Sequence, residues 1–190
     1  MVMPNHILID LCNVVYETTC PKYKGHHSVK NLVNSGEIGI TEAVDAFIKK
    51  LLETRCNKFI LRLVLDSRPM KRAEMKDKHI TIYDHGRSVD VIISGDADSC
   101  IVSLFSRENS ERPYTKGDTV FVVTDDAKLR NRIAKATAKL SKNSRPKIFA
   151  VDVPNRKSSN KIVPMVIDIK SVAENGLCYL QPFSEQKDLS

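Results

Sequence analysis

The sequence has little that would suit a disulfide-rich, zinc-binding or membrane protein. Its five cysteines are odd in number, widely spaced and without a Cys-x-x-Cys pair, which argues against a disulfide framework or a structural zinc site. No run approaches the roughly 18 consecutive apolar residues of a membrane span, and the first residues do not resemble a secretion signal. We therefore expect free thiols, no membrane partner and a soluble protein in the reducing cytoplasm.

Aromatic residues are also scarce, at 6% of the chain, and no RNA-recognition motif of the stacking-sheet type is present. Tyr16, Tyr83 and Tyr114 are the candidates for stacking on bases. The chain has 190 residues, 42% of them hydrophobic, which is enough for one full core. We expect a single domain over residues 1–183 and a flexible tail over residues 184–190.

The chain has an excess of positive charge. Thirty Lys and Arg stand against 23 Asp and Glu, a formal charge of +7. The acids are concentrated at the ends of predicted strands, and the bases lie in loops and on helix faces. This division favours an anionic partner, and a phosphate backbone is the commonest one for a basic domain, although positive charge also serves membrane binding and solubility.

Four short apolar runs end in acids, and we predict that these runs are buried parallel strands. The acids are Asp10, Asp66, Asp96, Asp98, Asp125 and Asp126. In open α/β sheets the crevice that binds ligands lies outside the carboxyl ends of the strands, so acids placed there converge in space. Carboxylates gathered in one crevice repel each other unless protons or cations neutralise them. The pattern therefore predicts a divalent-metal site.

The other elements alternate as in an α/β protein. Three of the four runs belong to strands predicted at residues 59–65, 89–94 and 119–124, and further strands are predicted at residues 147–153 and 162–169. Thr41 is predicted to cap a helix that runs to about Cys56. A second helix opens near Asp98, and residues 127–140 form the clearest helix. Residues 17–40, which include the pair His26-His27, are predicted to be a long loop or short irregular helices, and residues 107–118 and 154–161 are predicted loops.

Two segments are candidates for binding RNA phosphates. The predicted helix over residues 127–140 carries a basic stripe at helical spacing, and a basic segment covers residues 68–78. The candidate residues are Arg68, Lys71, Arg72, Lys128, Arg132, Lys135 and Lys139. We expect the stripe to run away from the acids as a track for phosphates. The alternative is a solvated helix face.

Three segments, in order, resemble the NYN group of PIN-like nucleases. In residues 7–15 Asp10 is followed three residues later by Asn13. In residues 96–101 an Ala-Asp pair precedes an apolar helix, and in residues 122–130 Thr124 is followed two residues later by Asp126 and then a helix. Asp66 matches the strand end before the variable region of this group. The matches span about residues 6–140, and their order makes the combination specific.

The resemblance implies a three-layer α/β/α domain with a mostly parallel sheet that cleaves single-stranded or structured RNA, endonucleolytically, with Mg²⁺ or Mn²⁺. It implies a metal-binding core of Asp10, Asp98 and Asp126, with Asn13 positioning Asp10 or a metal-bound water. The catalytic set that follows is Asp10, Asn13, Asp96, Asp98 and Asp126. Lys128 stands where many relatives carry another acid, and we expect Asp125 to supply that charge. The metal ligands are then Asp10, Asp96, Asp98, Asp125 and Asp126.

The residue types agree with this chemistry. Carboxylate oxygens suit Mg²⁺ or Mn²⁺ better than Zn²⁺, which favours His and Cys, and a metal-bound water has a lowered pKa and attacks phosphorus without a protein nucleophile. Each acid also has a plain structural interpretation. Asp126 as a helix N-cap, Asp66 as a turn residue and Asp10 as a solvated strand end are the alternatives.

Other functions stay open. A haloacid-dehalogenase-like phosphatase also has an Asp at the end of its first strand, but Cys12 occupies the position of its second acid. A catalytically silent NYN-like domain that binds RNA or a protein partner, or forms a homo-oligomer, is the other alternative. A Cys12 thiolate nucleophile is disfavoured because neighbouring carboxylates raise a thiol pKa. We expect His26-His27 to lie in a surface loop rather than to bind metal.

Overall fold

The computed structural model describes residues 5–17, 29–53, 59–67, 78–84 and 87–151. The chain divides into two units. We call the first, Met1–Leu11 with Asn57–Asp152, the sheet unit. The second is Cys12–Cys56 with Val153–Ser190, and we call it the helical unit after its described elements.

The described part of the sheet unit contains a six-stranded sheet. Its strands are β1 (Asn5–Asp10), β2 (Phe59–Asp66), β3 (Lys78–Asp84), β4 (Arg87–Ser94), β5 (Thr119–Val123) and β6 (Lys147–Val151). Their order is β3-β4-β2-β1-β5-β6, and only β3 runs antiparallel to its neighbour. The predicted α/β class with a mostly parallel sheet is confirmed.

The order of the strands defines a switch point. From β1 the chain continues to β2 and β4 on one side of the sheet, and then returns to β5 and β6 on the other side of β1. Ligands of open α/β sheets bind outside the carboxyl ends of the strands at such a point. Here the point lies between β1 and β5, which pair in parallel up to Ile9 and Val123. Asp10 and Thr124 follow directly, so both lie at the expected crevice.

Two helices pack on one face of this sheet, α4 (Ala97–Ser103) and α5 (Ala127–Ala138). Their apolar sides share a core with alternate residues of the strands, since successive strand side chains point to opposite faces. The core includes Leu8, Val64, Val122, Ile101 and Leu129. Burial of each such side chain stabilises the fold by about 1.5–3 kcal/mol. This core holds against the sheet the N-terminal ends of α4 and α5, where Asp96, Asp98 and Asp126 lie.

The described helices of the helical unit are α1, which starts at the boundary (Leu11–Glu17), α2 (Val29–Asn34) and α3 (Ile40–Glu53). The predicted apolar stripe of α3 is buried at Val44, Phe47 and Leu51. The prediction that Thr41 caps this helix was wrong. The Ala43 N–H donates to the Gly39 carbonyl oxygen at 3.1 Å, so the helix has already begun before Thr41.

Strand β3 was not predicted. It is an edge strand paired with β4, and its residues alternate only partly between apolar and polar. Some predictions fall outside the described residues, namely those for His26-His27, Arg68, Lys71, Arg72, and residues 154–161, 162–169 and 184–190. None of the helices that the structure describes is both long and apolar enough to cross a membrane.

Buried polar groups lie at the amino end of the sheet, opposite the acids. His6, at the start of β1, is 7% exposed, and its Nε2 atom lies 3.9 Å from Asp118 Oδ1. The Tyr114 ring meets the His6 ring edge-on, with 5.1 Å between ring centroids. Burial lowers the pKa of His6, Asp118 opposes this effect, and the Arg62 charge reinforces it. The net effect of the fold on His6 therefore favours its neutral form.

We expect the protein to lose stability as the pH falls below about 6.5, the ordinary pKa of His. Because the pKa of His6 is lowered in the fold, the unfolded chain takes up the proton first and is favoured by acid. The free energy of unfolding in urea should fall more between pH 7.5 and pH 5.5 in the wild type than in His6→Phe. Equal losses in the two proteins would contradict this account.

Candidate functional site

The first part of the site is a hydrogen-bonded link between the ends of β1 and β5. Asp10 is 6% exposed and Thr124 is fully buried. The Thr124 hydroxyl donates to Asp10 Oδ2 at 2.8 Å, and the Asp126 N–H donates to Thr124 Oγ1 at 3.2 Å. Thr124 thus positions the carboxylate of Asp10 and the start of α5 together. It was not among the predicted site residues, although its spacing to Asp126 was part of the family resemblance.

We expect Thr124→Val to destabilise the protein by about 1–3 kcal/mol, the typical penalty for leaving a buried polar group without its partner. The substitution keeps the side-chain volume but removes the donor to Asp10 and the acceptor for the Asp126 N–H. Thr124→Ser keeps the hydroxyl and is the matched control. Urea unfolding of the three proteins measures the effect, and a Val variant as stable as the wild type would show that the link contributes nothing.

Asp126 is the N-cap of α5. Its Oδ1 atom accepts hydrogen bonds from the backbone N–H groups of Lys128, at 2.7 Å, and Leu129, at 3.0 Å. The preceding loop is held by Arg130, whose Nε donates to the Thr124 carbonyl oxygen at 2.9 Å. The Arg130 guanidinium also lies 3.6 Å from Asp125 Oδ1. The prediction that Asp126 acts as a helix N-cap is therefore confirmed. Asp125 forms an ion pair with Arg130.

Asp96 has the same role at α4. Its Oδ1 atom accepts a hydrogen bond from the Ser99 N–H at 3.1 Å, and its own N–H donates to Ser94 Oγ at 3.2 Å. Asp98 consequently lies within the first turn of the helix. The capping hydrogen bonds fix the carboxylates of Asp96 and Asp126 at the carboxyl edge of the sheet. Negative charge at a helix N-terminus also interacts favourably with the helix dipole.

Burial and the neighbouring acids raise the pKa of Asp98. Partial burial raises the pKa of Asp98, and the carboxylates of Asp126, Asp96 and Asp66 raise it further, against the opposing charge of Arg132. The four acids lie at or just after the ends of three different strands, β2, β4 and β5. Asp98 is therefore within electrostatic reach of acids at or just after the ends of two other strands, Asp66 and Asp126.

Arg132 supplies a counter-charge at the same place. Its Nη1 atom lies 3.5 Å from Asp98 Oδ2, and its Nη2 atom donates to Ser99 Oγ at 2.9 Å. We predicted that the basic stripe would run away from the acids. For Arg132 this was wrong, because its side chain reaches across from α5 to the first turn of α4. Lys128, Lys135 and Lys139 are exposed, and we call these three residues the basic face.

Asn13 lies in α1, in the part of the chain that belongs to the helical unit. Tyr114 is fully buried beside Phe105 and so is not available to stack on a base. Among the described residues, no three or more His, Cys, Asp or Glu side chains are arranged as a group ready to hold a metal ion. The acids lie at one edge of the sheet, but their described side chains are not gathered into a group of metal ligands.

No protein-family model matches the chain, and comparisons with curated proteins and with solved structures give no significant match.

Proposed function

We propose that this protein is a divalent-metal-dependent ribonuclease with a three-layer, PIN-like α/β/α domain of the NYN type. The observation that carries the proposal is the position of Asp66, Asp96, Asp98 and Asp126 at or just after the carboxyl ends of β2, β4 and β5, where burial and the neighbouring carboxylates raise the pKa of Asp98. Thr124 links the same edge to Asp10 at the switch point. Parallel sheets bind their ligands at this edge.

The donors at this edge are suited to a hard cation. They are carboxylate oxygens, and Mg²⁺ and Mn²⁺ bind through a few carboxylates with waters in the remaining positions. Such a site needs fewer preformed protein ligands than a closed zinc site does. The residues that would hold the ion are Asp10, Asp98 and Asp126, and Asp96 and Asp125 are the further candidate ligands. When bound, the ion would supply an activated water and would stabilise negative charge on the phosphoryl oxygens.

The other polar residues of the site position these acids. Thr124 orients Asp10 through its hydroxyl. Arg130 donates a hydrogen bond to the Thr124 carbonyl oxygen and forms an ion pair with Asp125. These two contacts fix the loop before α5. Arg132 balances part of the negative charge of Asp98 in the protein alone. The proposed site is thus supported by a second layer of hydrogen bonds and ion pairs.

The charge of the chain supports an RNA substrate. Acids at the edge would repel phosphates, so a polyanion needs cations nearby, and the basic face of Lys128, Lys135 and Lys139 begins in the first turn of α5, directly after Asp126. Phosphate contacts from such a face position a strand without reading its sequence. We also propose that cleavage occurs within the strand, as the resemblance to the NYN group implies.

A catalytically silent RNA-binding domain is the second candidate. Asp96 and Asp126 are already used as helix caps, and Asp98 is already paired with Arg132. These contacts would give the same acids a purely structural role, while the basic face would still bind RNA. Metal-dependent cleavage separates the two candidates.

We expect the purified protein to cut labelled single-stranded or structured RNA in Mn²⁺ or Mg²⁺ and to leave it intact in EDTA. A circular RNA substrate tests for internal cleavage, and single-stranded DNA tests the choice of sugar. Asp98→Asn, purified in the same way, controls for contaminating nuclease. Cleavage that persists in EDTA would contradict the metal requirement. RNA binding without cleavage in either metal would favour the silent domain.

A small phosphate monoester should not be hydrolysed. The phosphatase alternative requires an acid at position 12, where the chain has Cys12. Monoester turnover that is lost in Asp10→Asn would support that alternative instead.

A further inference from the structure

A cavity of about 520 Å³ lies beside the proposed site, between α5 and strands β5 and β6. Its apolar surface includes Val122, Ile148 and Ala150 from the strands. Ala134 and Ala138, four residues apart on one flank of α5, form the facing wall. Because these helix residues are small, the groove between the helix and the edge strand stays open. Its volume is within the range of ligand pockets, roughly 300–1,000 Å³.

An arginine lines the cavity near each end of α5. Arg130 also contacts the Thr124 carbonyl oxygen and Asp125, so that end adjoins the proposed site. Arg145 donates through Nε to the Leu140 carbonyl oxygen at 2.7 Å and through Nη2 to the Ala138 carbonyl oxygen. Within the described residues, no carboxylate pairs with Arg145. Among the side chains that the structure describes, none therefore neutralises its positive charge.

Apart from Val122, the residues that line the cavity belong to a stretch of the chain whose charged residues are all basic. Residues 127–151 contain eight Lys and Arg and no Asp or Glu. The basic face lies on the neighbouring flank of α5, since Lys135 is one helical turn from Asn131, which lines the cavity. An apolar interior with a cationic rim is complementary to a ligand that has an apolar ring and an anionic group.

We propose that this cavity is a subsite for one nucleotide of the RNA, with the base against the apolar strand residues and the phosphate at the cationic rim. The inference rests on the proposed ribonuclease function and names where the strand next to the cleaved bond would lie. The exposed amide of Asn131 can both donate and accept hydrogen bonds at a base edge.

Ala134→Leu tests the proposal by filling the cavity. Ala134 is exposed on the helix and Leu is a good helix former, so the variant should fold. Ala134→Ser is the matched control, because it changes the same residue and leaves the space open. We expect Ala134→Leu to bind a single-stranded RNA oligonucleotide about tenfold more weakly than Ala134→Ser in EDTA, as for one lost base contact. Circular dichroism and thermal unfolding verify the fold of both variants.

Photo-crosslinking gives a second readout. RNA with 4-thiouridine should crosslink to wild-type peptides from residues 131–150, and Ala134→Leu should reduce these crosslinks. Equal RNA affinity of the Leu and Ser variants, or crosslinks confined to other parts of the chain, would overturn the proposal. Binding is measured without metal and cleavage with metal. The subsite proposal and the ribonuclease proposal can therefore be refuted independently. Weaker binding by Ala134→Leu together with no cleavage in Mn²⁺ would support the subsite and refute the ribonuclease.

Discussion

Asp98→Asn and Asp126→Asn are each expected to reduce metal-dependent RNA cleavage by more than about a hundredfold. Charge stabilisation by a bound metal contributes several kcal/mol, and each 1.4 kcal/mol is a factor of ten in rate. Asn keeps the size of Asp and, at position 126, is still a good N-cap for α5. Loss of activity would therefore report the missing negative charge rather than a disrupted helix.

Stability should change in the opposite direction at Asp98. Burial and the neighbouring acids raise the pKa of Asp98, so the charged carboxylate opposes folding above the ordinary pKa of Asp, and this effect disappears as the pH falls through the raised value. Asp98→Asn should unfold in urea at the same or a higher concentration than the wild type at pH 7. Glu111→Gln, an exposed acid outside the site, is the control and should retain wild-type activity. Wild-type cleavage rates in both Asn variants would refute the site assignment.

Lys128→Gln, Lys135→Gln and Lys139→Gln together should weaken the binding of single-stranded RNA. Each lost phosphate contact lowers the dependence of log affinity on log salt by roughly 0.7, so three contacts should flatten the slope by about 2. Arg132 is left unchanged because it pairs with Asp98. Turnover at saturating RNA should fall much less than affinity, since the acids are untouched.

A second triple variant carries the same change in net charge elsewhere. Lys30, Lys49 and Lys116 are exposed and lie away from α5 in the sequence, and their replacement by Gln should leave the salt slope near that of the wild type. RNA affinity measured at four or more salt concentrations gives the salt slope of each triple variant for this comparison. Equal slopes for the two triple variants would mean that the basic face serves only solubility.

The sequence was a good guide to the sheet because buried parallel strands are continuous apolar runs. The strands that end at Asp10, Asp66 and Val123 were recognised in this way, and the acids after them follow from the direction of the strands. Helix α5 was recognised from the spacing of Leu129 and Ile133, both of which are buried. The acids that follow a predicted strand can therefore be assigned to the carboxyl edge of the sheet before the order of the strands is known.

The contacts within the site were harder to predict. Arg132 of α5 contacts Asp98 of α4, and Thr124 after β5 contacts Asp10 at the end of β1. Both contacts join different elements and so depend on tertiary packing. The periodicity that placed Arg132 on an exposed stripe cannot show where a long side chain ends. Likewise, Gly39 rather than Thr41 begins the hydrogen bonding of α3, because the backbone path and not the residue preference decides the cap.

The most direct test of the central claim is a titration with Mn²⁺, followed by the electron paramagnetic resonance signal of the free ion. We predict that wild-type protein binds Mn²⁺ and that Asp98→Asn and Asp126→Asn bind it at least about tenfold more weakly, while Glu111→Gln binds as the wild type does. Identical Mn²⁺ binding by the wild type and both Asn variants, or no binding by the wild type, would contradict a metal site at this edge of the sheet.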